Sequence, residues 1–253
     1  MIEKRLTMIE EVTSIAHKAG DAILEVYKVV DPDTKYKKDD SPVTEADIVS
    51  NEIILKGLKE FSDIPILSEE TEVDYEERKS WNKFWLVDPL DGTKDFLVKN
   101  NQFTVNIALI KDDKPILGVV LIPAEGLCYT AEKDKGAFKN GEKIYNNSTR
   151  TELIGSDSNF HSTEETKAFY AKHNVKDIKR YGSALKFCKL AEGEIDLYAR
   201  LNGTMEWDTG AGHIIMNEAG CKIIDVETKK EIVYNKENLR NNHFIACRQD
   251  LNF

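Results

Sequence analysis

Apolar residues recur at helical spacing from about Met8 to Tyr27 (Met8, Val12, Ile15, Ala16, Ala19, Ile23, Tyr27), which predicts a long amphipathic helix. The segment Lys35-Tyr36-Lys37-Lys38-Asp39-Asp40-Ser41-Pro42 is polar and turn-rich and reads as a loop or hairpin. Val43-Thr44-Glu45-Ala46-Asp47 then leads into a second helix bearing Ile48, Ile54, Leu55 and Leu58. Thr44 stands at its N-cap and Asp47 three residues later, in a capping-box-like position. Pro65-Ile66-Leu67 is a short strand that runs into Ser68-Glu69-Glu70, and the acidic stretch from Thr71 to Lys79 reads as exposed helix or loop. Trp85-Leu86-Val87 is a buried strand that ends abruptly at Asp88. Phe103 to Ile110 alternates as a half-buried strand does. Strands at 115–123 and 127–131 and an Asn140-Gly141 hairpin turn complete an antiparallel meander.

Asn146-Asn147-Ser148-Thr149-Arg150 is polar and turn-like, and it divides an N-terminal α+β half (1–149) from a C-terminal α/β half (150–253). The second half alternates differently. A strand at Leu153-Ile154 precedes a helix from Glu164 to Lys172, a strand from Ile178 to Tyr181, a helix from Ser183 to Glu192 and a strand from Ile195 to Ala199. Glu206 to Gly220 reads as one more helix, with Asp208 at its start, Gly220 at its stop, and Ala211, Ile214, Ile215 and Ala219 on its buried face.

Composition narrows the function. With 253 residues, 41% apolar and 32% charged, the chain can bury a full core. A net charge of -10 argues against general nucleic-acid binding, which needs basic surface against phosphates. The N-terminus has no apolar signal core and no run approaches spanning length, so a cytoplasmic protein without stable membrane insertion is expected. The four cysteines (Cys128, Cys188, Cys221, Cys247) are scattered and read as buried free thiols.

Chemistry concentrates in Asp88-Pro89-Leu90-Asp91-Gly92-Thr93-Lys94. Two carboxylates three residues apart around a proline turn, with the Leu90 carbonyl between them, form the oxygen set a hard divalent cation takes. Gly92-Thr93 opens a short helix whose first N–H groups face an anion. Asp47, Glu69, Glu70 and Asp208 are further candidates, each with an ordinary reading as a helix-start or surface acid. Were these acids to converge without a cation, repulsion would raise their pKa values, so convergence implies divalent metal and more than one ion. The spacing Asp-x-x-Asp-Gly-Thr is one residue longer than that of aspartyl-phosphate hydrolases and argues against an Asp nucleophile.

Asp88-Pro89-Leu90-Asp91-Gly92-Thr93, paired with Trp207-Asp208-Thr209-Gly210-Ala211-Gly212, resembles the signature pair of the inositol monophosphatase superfamily of Mg2+-dependent, lithium-sensitive phosphatases. Leu67-Ser68-Glu69-Glu70, Thr93-Lys94-Asp95-Phe96, Gly182-Ser183-Ala184-Leu185-Lys186 and Asp196-Leu197-Tyr198-Ala199-Arg200 are similar to the CysQ-type 3'(2'),5'-bisphosphate nucleotidases within it. The resemblance implies a layered α-β-α-β-α sandwich and two or three Mg2+ ions. Glu69, Asp88 and the Leu90 carbonyl would hold the first ion, Asp88, Asp91 and Asp208 the second, and a looser third would sit by Glu69. It further implies a metal-activated water oriented by Thr93, Glu70 and Asp47, and a phosphorylated small molecule bound by Gly92, Thr93, Lys94, Ser183, Lys186, Arg200 and Asp208. The implied reaction converts 3'-phosphoadenosine 5'-phosphate to AMP and phosphate, as in sulfur assimilation, by a monomer or homodimer. Inositol-1-phosphate or another sugar phosphate stays open as substrate, and a catalytically silent phosphate-binding protein as the alternative class. One departure stands out: Ser156-Asp157-Ser158-Asn159, with His161, replaces a Ser-Arg-Ser-His run, so a basic position has become acidic.

Overall fold

The computed structural model describes residues 6–29, 45–71 and 73–253. The loop expected at Lys35–Pro42 and the Thr44 cap lie outside the described residues. The first periodic stretch is α1 (Met8–Val29) and the second α2 (Glu45–Phe61). The short strand β1 (Ile66–Ser68) leads through α3 (Tyr75–Arg78) to β2 (Lys83–Asp91) and the five-residue α4 (Thr93–Leu97). The meander follows as β3 (Thr104–Lys111), β4 (Lys114–Ile122), β5 (Leu127–Glu132), β6 (Gly136–Lys139) and β7 (Glu142–Ile144). Asn140 and Gly141 both take positive φ (49° and 83°), as the hairpin turn between β6 and β7 requires. The strands lie in the order β1-β2-β3-β4-β5-β6-β7, with β1 parallel to β2 and the other pairs antiparallel.

In the second half, β8 (Ile154–Ser158), α5 (Glu164–Lys172), β9 (Asp177–Tyr181), α6 (Leu185–Ala191) and β10 (Leu197–Arg200) keep the expected rhythm. They are joined by α7 (Gly210–Glu218), β11 (Cys221–Asp225) and β12 (Phe244–Arg248). The last two strands were not anticipated: β11 has Lys222 among its apolar residues, and the apolar run of β12 is only four residues long. They add antiparallel to the parallel core in the order β11-β12-β10-β8-β9.

Side-chain alternation sorts the elements into layers. Trp85, Val87, Val105, Ile107, Leu109, Val119 and Leu121 pack against Val12, Ile15, Ala19, Ile54 and Leu58 of α1 and α2. Their neighbours Phe84, Leu86, Ala108, Ile110 and Val120 face Leu185, Phe187, Ile214 and Ile215 of α6 and α7. Those two helices also cover Tyr198, Ile223, Phe244 and Ala246 of the second sheet. The opposite face, Leu197, Ala199, Ile245 and Cys247, meets Tyr170 and Val175 at α5. The result is the expected α-β-α-β-α sandwich. The strand expected to be half-buried at Phe103–Ile110 is buried on both faces, because helices cover each side of its sheet and the alternation separates two cores. Gly118 of β4 permits the close approach of α7: a Cβ there would lie 2.7 Å from the Ala211 carbonyl oxygen and 2.5 Å from the Ile214 side chain.

Two further expectations are corrected. The stretch 71–79 is not wholly exposed, since Arg78 is buried and hydrogen-bonded. The helix expected from Glu206 begins only at Gly210, because residues 206–209 form turns whose N–H groups at Thr209 and Gly210 return to the Glu206 carbonyl. All four cysteines are free and buried. No helix among the described residues is long and apolar enough to cross a membrane.

Candidate active site

The strand expected to end at Asp88 continues to Asp91 through a bulge. Asp88 pairs with Asn106 and Asp91 with Thr104, so three steps along β2 match two along β3. In a regular strand residues three apart point to opposite faces. The extra residue cancels that inversion and turns both carboxylates toward the α6–α7 layer. Pro89 lacks a backbone donor and is tolerated in a strand at such a bulge. Ser50 of α2 donates to the Pro89 carbonyl (2.7 Å), and the Asp88 carboxylate accepts from Leu90 N (3.1 Å). Asn106, held by Thr104, points its amide at the Asp91 carboxylate (3.4 Å).

The parallel pairing of β1 with β2 brings the second acid pair alongside. Ser68 is in register with Val87 and Glu69 N donates to the Val87 carbonyl (3.1 Å), which sets Glu69 abreast of Asp88. Ser68 Oγ also donates to Asn51 Oδ1 (2.7 Å), fastening α2, whose first turn carries buried Asp47. Asp208 arrives from the other half of the chain. Its carboxylate accepts from Met205 N (2.8 Å), and one oxygen each of Asp88, Asp91 and Asp208 lie within 4.8 Å of one another.

These carboxylates resist ionisation together. Burial, then repulsion from Glu69, Asp91, Asp208 and Asp47, holds Asp88 well above the carboxylate range. Glu69 is pushed up to about 8 by desolvation and by Asp208, Asp91, Glu70 and Asp47. Asp208 is pushed up to about 7 by burial and Asp91, against the opposing pull of the Met205 amide, Arg200 and Lys186. Burial raises Asp91 as well, and Lys186 and Asn106 oppose it. Burial raises Glu70. A cluster of hard oxygen donors under mutual repulsion fits a divalent cation, which would relieve the cost.

A cavity of about 350 Å³ opens on the cluster and is lined by Glu69, Asp91, Gly92, Thr93 and Asp208 at its acidic wall. Gly92 sits before α4 at φ +91°, and a Cβ there would lie 2.1 Å from Ser183 Oγ. The Ser183 hydroxyl lies 2.8 Å from the carbonyl oxygens of Asp91 and Gln102. Of the residues singled out for substrate, Lys94, Ser183, Lys186 and Arg200 all line the cavity. Lys186 is buried, donates to the Ser183 (2.7 Å) and Tyr181 (3.1 Å) carbonyls, and is drawn down to about 8 by burial and Arg200. Burial and the cations Arg200, Lys94 and Lys186 draw His161 down to about 4, and all four side chains line the cavity. Asp47, Glu70 and Asp88 do not line the cavity; Glu70 acts on Glu69 through its charge, and Asp47 on both Glu69 and Asp88.

Sequence reasoning missed Asp95 as a lining residue. It is buried and accepts from Asn159 Nδ2 (2.8 Å), which also donates to Gln102 Oε1 (2.8 Å). Its position within Gly92-Thr93-Lys94-Asp95-Phe96 was the available signal. Asp157, the acidic departure, is buried outside the lining, accepting from Ser158 N (2.7 Å) with Arg180 at 3.9 Å. Its charge is answered from β9.

Comparison with known proteins agrees with this geometry. Residues 5–250 match the model of the Inositol monophosphatase family. A 3'(2'),5'-bisphosphate nucleotidase CysQ of Salmonella typhimurium is 43% identical over 228 residues, covering 88% of this chain and 92% of the relative. The crystal structure of CysQ from Bacteroides thetaiotaomicron, a bacterial member of the inositol monophosphatase family, superposes with a TM-score of 0.86 at 35% identity, over 98% of this chain and 100% of that one. The inositol monophosphatase of Thermotoga maritima gives a TM-score of 0.78 at 27% identity, over 93% of this chain and 90% of the other.

Proposed function

This chain belongs to the inositol monophosphatase family, and on that premise we propose that it is a 3'(2'),5'-bisphosphate nucleotidase that converts 3'-phosphoadenosine 5'-phosphate to AMP and phosphate. The observation that carries the reading is that Asp91 and Asp208 of the acidic cluster share one cavity with Lys94, Lys186 and Arg200. A substrate with one phosphate to lose and a second to be held matches that division. Glu69, Asp88 and the Leu90 carbonyl would hold one Mg2+, Asp88, Asp91 and Asp208 would hold another, and Glu69 would serve a third. When bound they supply positive charge to the phosphoryl oxygens and lower the pKa of water.

The remaining work falls to the chain's own groups. Thr93, Glu70 and Asp47 orient the attacking water, and the carboxylates among them take its proton. The backbone at Gly92-Thr93 approaches the scissile phosphate without a side chain in the way. Lys186 and Arg200 hold the other phosphate, and Lys94 adds charge at the exposed rim. The bulge holds Asp88 and Asp91 in place before substrate arrives, so little reorganisation accompanies reaction. The same reading makes lithium an inhibitor and assigns a place in sulfur assimilation in the cytoplasm.

A phosphate-release screen with Mg2+ tests the assignment across 3'-phosphoadenosine 5'-phosphate, inositol-1-phosphate and fructose bisphosphate. The expected result is the highest kcat/KM on the bisphosphate nucleotide. A preference for inositol-1-phosphate overturns the substrate, and no release from any phosphomonoester overturns the enzyme.

A further inference from the structure

The turn that carries Asp208 is gripped from outside by residues 233–241. Asn241 N donates to the Thr204 carbonyl (2.8 Å), and Glu206 N donates to the Leu239 carbonyl (2.9 Å). The buried Asn241 side chain spreads its amide over the Met205 carbonyl (2.8 Å) and the Thr204 and Thr209 hydroxyls (3.2 Å each). Glu206 has 0% exposure, and its carboxylate accepts from Asn235 N (2.6 Å), Lys236 N (3.0 Å) and Lys236 Nζ (2.6 Å). A carboxylate so buried is tolerated only with such donors. The backbone carbonyl of this residue meanwhile receives Thr209 N, Gly210 N and the Thr209 hydroxyl, so Glu206 joins the outer segment to the start of α7.

The same segment also binds Arg78. Arg78, 2% exposed and the last residue of α3, in the stretch that follows Glu69-Glu70, donates to Asn235 Oδ1 (3.0 Å), the Lys236 carbonyl (2.6 Å) and the Glu237 carbonyl (2.8 Å). Asn235 answers by donating to the Arg78 carbonyl (2.7 Å). Arg78, Asn235, Glu206 and Asn241 do not line the cavity. They bond to each other's segments instead.

We propose that residues 233–241 are a strap that fixes Asp208 relative to the Glu69 segment and so sets divalent-ion affinity, with Arg78, Glu206, Asn235 and Asn241 as positioning residues. Among the described residues, none of these four bonds to Lys186 or Arg200, so the strap is expected to act on ion affinity before substrate affinity. This rests on the metal-dependent reading of the site.

The test measures Mn2+ binding by electron paramagnetic resonance, together with the Mg2+ half-saturation of phosphate release and the KM for 3'-phosphoadenosine 5'-phosphate at saturating Mg2+. Asn241→Leu keeps the size but removes the donors, and is expected to weaken Mn2+ binding tenfold or more while KM stays within twofold. Lys236→Met, at a side chain 30% exposed, removes one bond to Glu206, is expected to weaken binding several-fold, and serves should Asn241→Leu not fold. Arg78→Lys is expected to retain more ion affinity than Arg78→Ala. Mn2+ affinity within twofold of the unmutated protein in the folded variants, whatever their melting temperature, overturns the strap. The spin measurement reads ion binding even if no nucleotide is hydrolysed, so the strap and the assigned reaction fail separately.

Discussion

Asp88 and Asp91 sit on a strand, and Asp208 sits on a turn; the two anchorages are built by different means. The first pair is held by the ladder of β2 against β3, where one bulged residue decides which face both carboxylates share. Their supporting contacts are backbone pairing and the short reach of Asn106 and Ser50. The Asp208 turn has no sheet to lie on. Its position comes from a segment about thirty residues later, whose Asn235 N donates to Glu206 and whose Asn241 amide donates to the Met205 carbonyl, and from Arg78, whose bond to Asn235 spans 157 positions. A strand can place a metal ligand with local sequence, whereas a turn between layers needs side chains drawn from both halves of the chain.

The sharpest way to break the comparison is to remove a ligand on each side. Asp88→Asn is expected to lower Mg2+-dependent kcat by about 10³-fold or more, given what clamping both reacting oxygens contributes. The melting temperature of the metal-free variant should hold or rise, because a buried repulsion is relieved. Asp208→Asn should match that loss of rate. A variant retaining a tenth of the activity at either position would show that its anchorage does not serve the reaction.

Next in size is Gly92→Ala, which strikes the strand side alone. Alanine at φ +91° with its Cβ 2.1 Å from Ser183 Oγ strains the backbone that follows Asp91. The expected cost is about 1–3 kcal/mol of stability from the left-handed conformation and more from the contact. Denaturant unfolding measures it, and an unchanged midpoint would mean the loop yields freely.

Metal removal tests both sides at once through pH. Glu69 near 8 and Asp208 near 7 lie above their ordinary values of 4.5 and 3.8, so the folded protein binds more protons than the unfolded chain between those limits. The stability these groups contribute is full below about pH 4, where both states are protonated, and is lost as pH rises toward 8. Metal-free protein should therefore melt lower at pH 8 than at pH 5, and Mg2+ should raise the melting temperature more at pH 8. Equal Mg2+ shifts at the two pH values would contradict the cluster's shared electrostatics.

The smallest effect is expected at Lys114→Met. Lys114 is paired with Glu231 (2.7 Å), which reaches His213 (2.9 Å), Tyr234 (3.0 Å) and then Thr209 (3.3 Å). An exposed pair of this kind is worth about 0–1 kcal/mol. Mg2+ half-saturation should stay within twofold; a larger change would extend the control of Asp208 beyond residues 233–241.

Much of this molecule was legible in one dimension. The periodic stretch at Met8–Tyr27, the meander, and the Glu164–Lys172 helix follow from spacing alone, because local burial patterns repeat with the geometry of the element. Asp88-Pro89-Leu90-Asp91-Gly92-Thr93 carried its chemistry openly, since strain at a proline bulge and at a left-handed glycine restricts residue choice. Three features were not legible. The two-sided burial of Phe103–Ile110 depends on helices from opposite ends of the chain. β11, with Lys222 among its apolar residues, and β12, with an apolar run of four, gain strand character by joining an existing sheet. Arg78 lies in an acidic stretch and is buried only because the 233–241 segment supplies acceptors.

Residue identity by itself determined which groups could bind a hard cation and where the strongly periodic helices and strands would form, because both depend on neighbours within a few positions. Tertiary structure alone decided that Asp208 would meet Asp88 and Asp91 within 4.8 Å, and that Lys94, Lys186 and Arg200 would share their cavity. The physical reason is that like charges repel at short range. Their convergence has to be imposed by the packing of α7 on the first sheet and by buried hydrogen bonds from distant segments, and no local pattern records either.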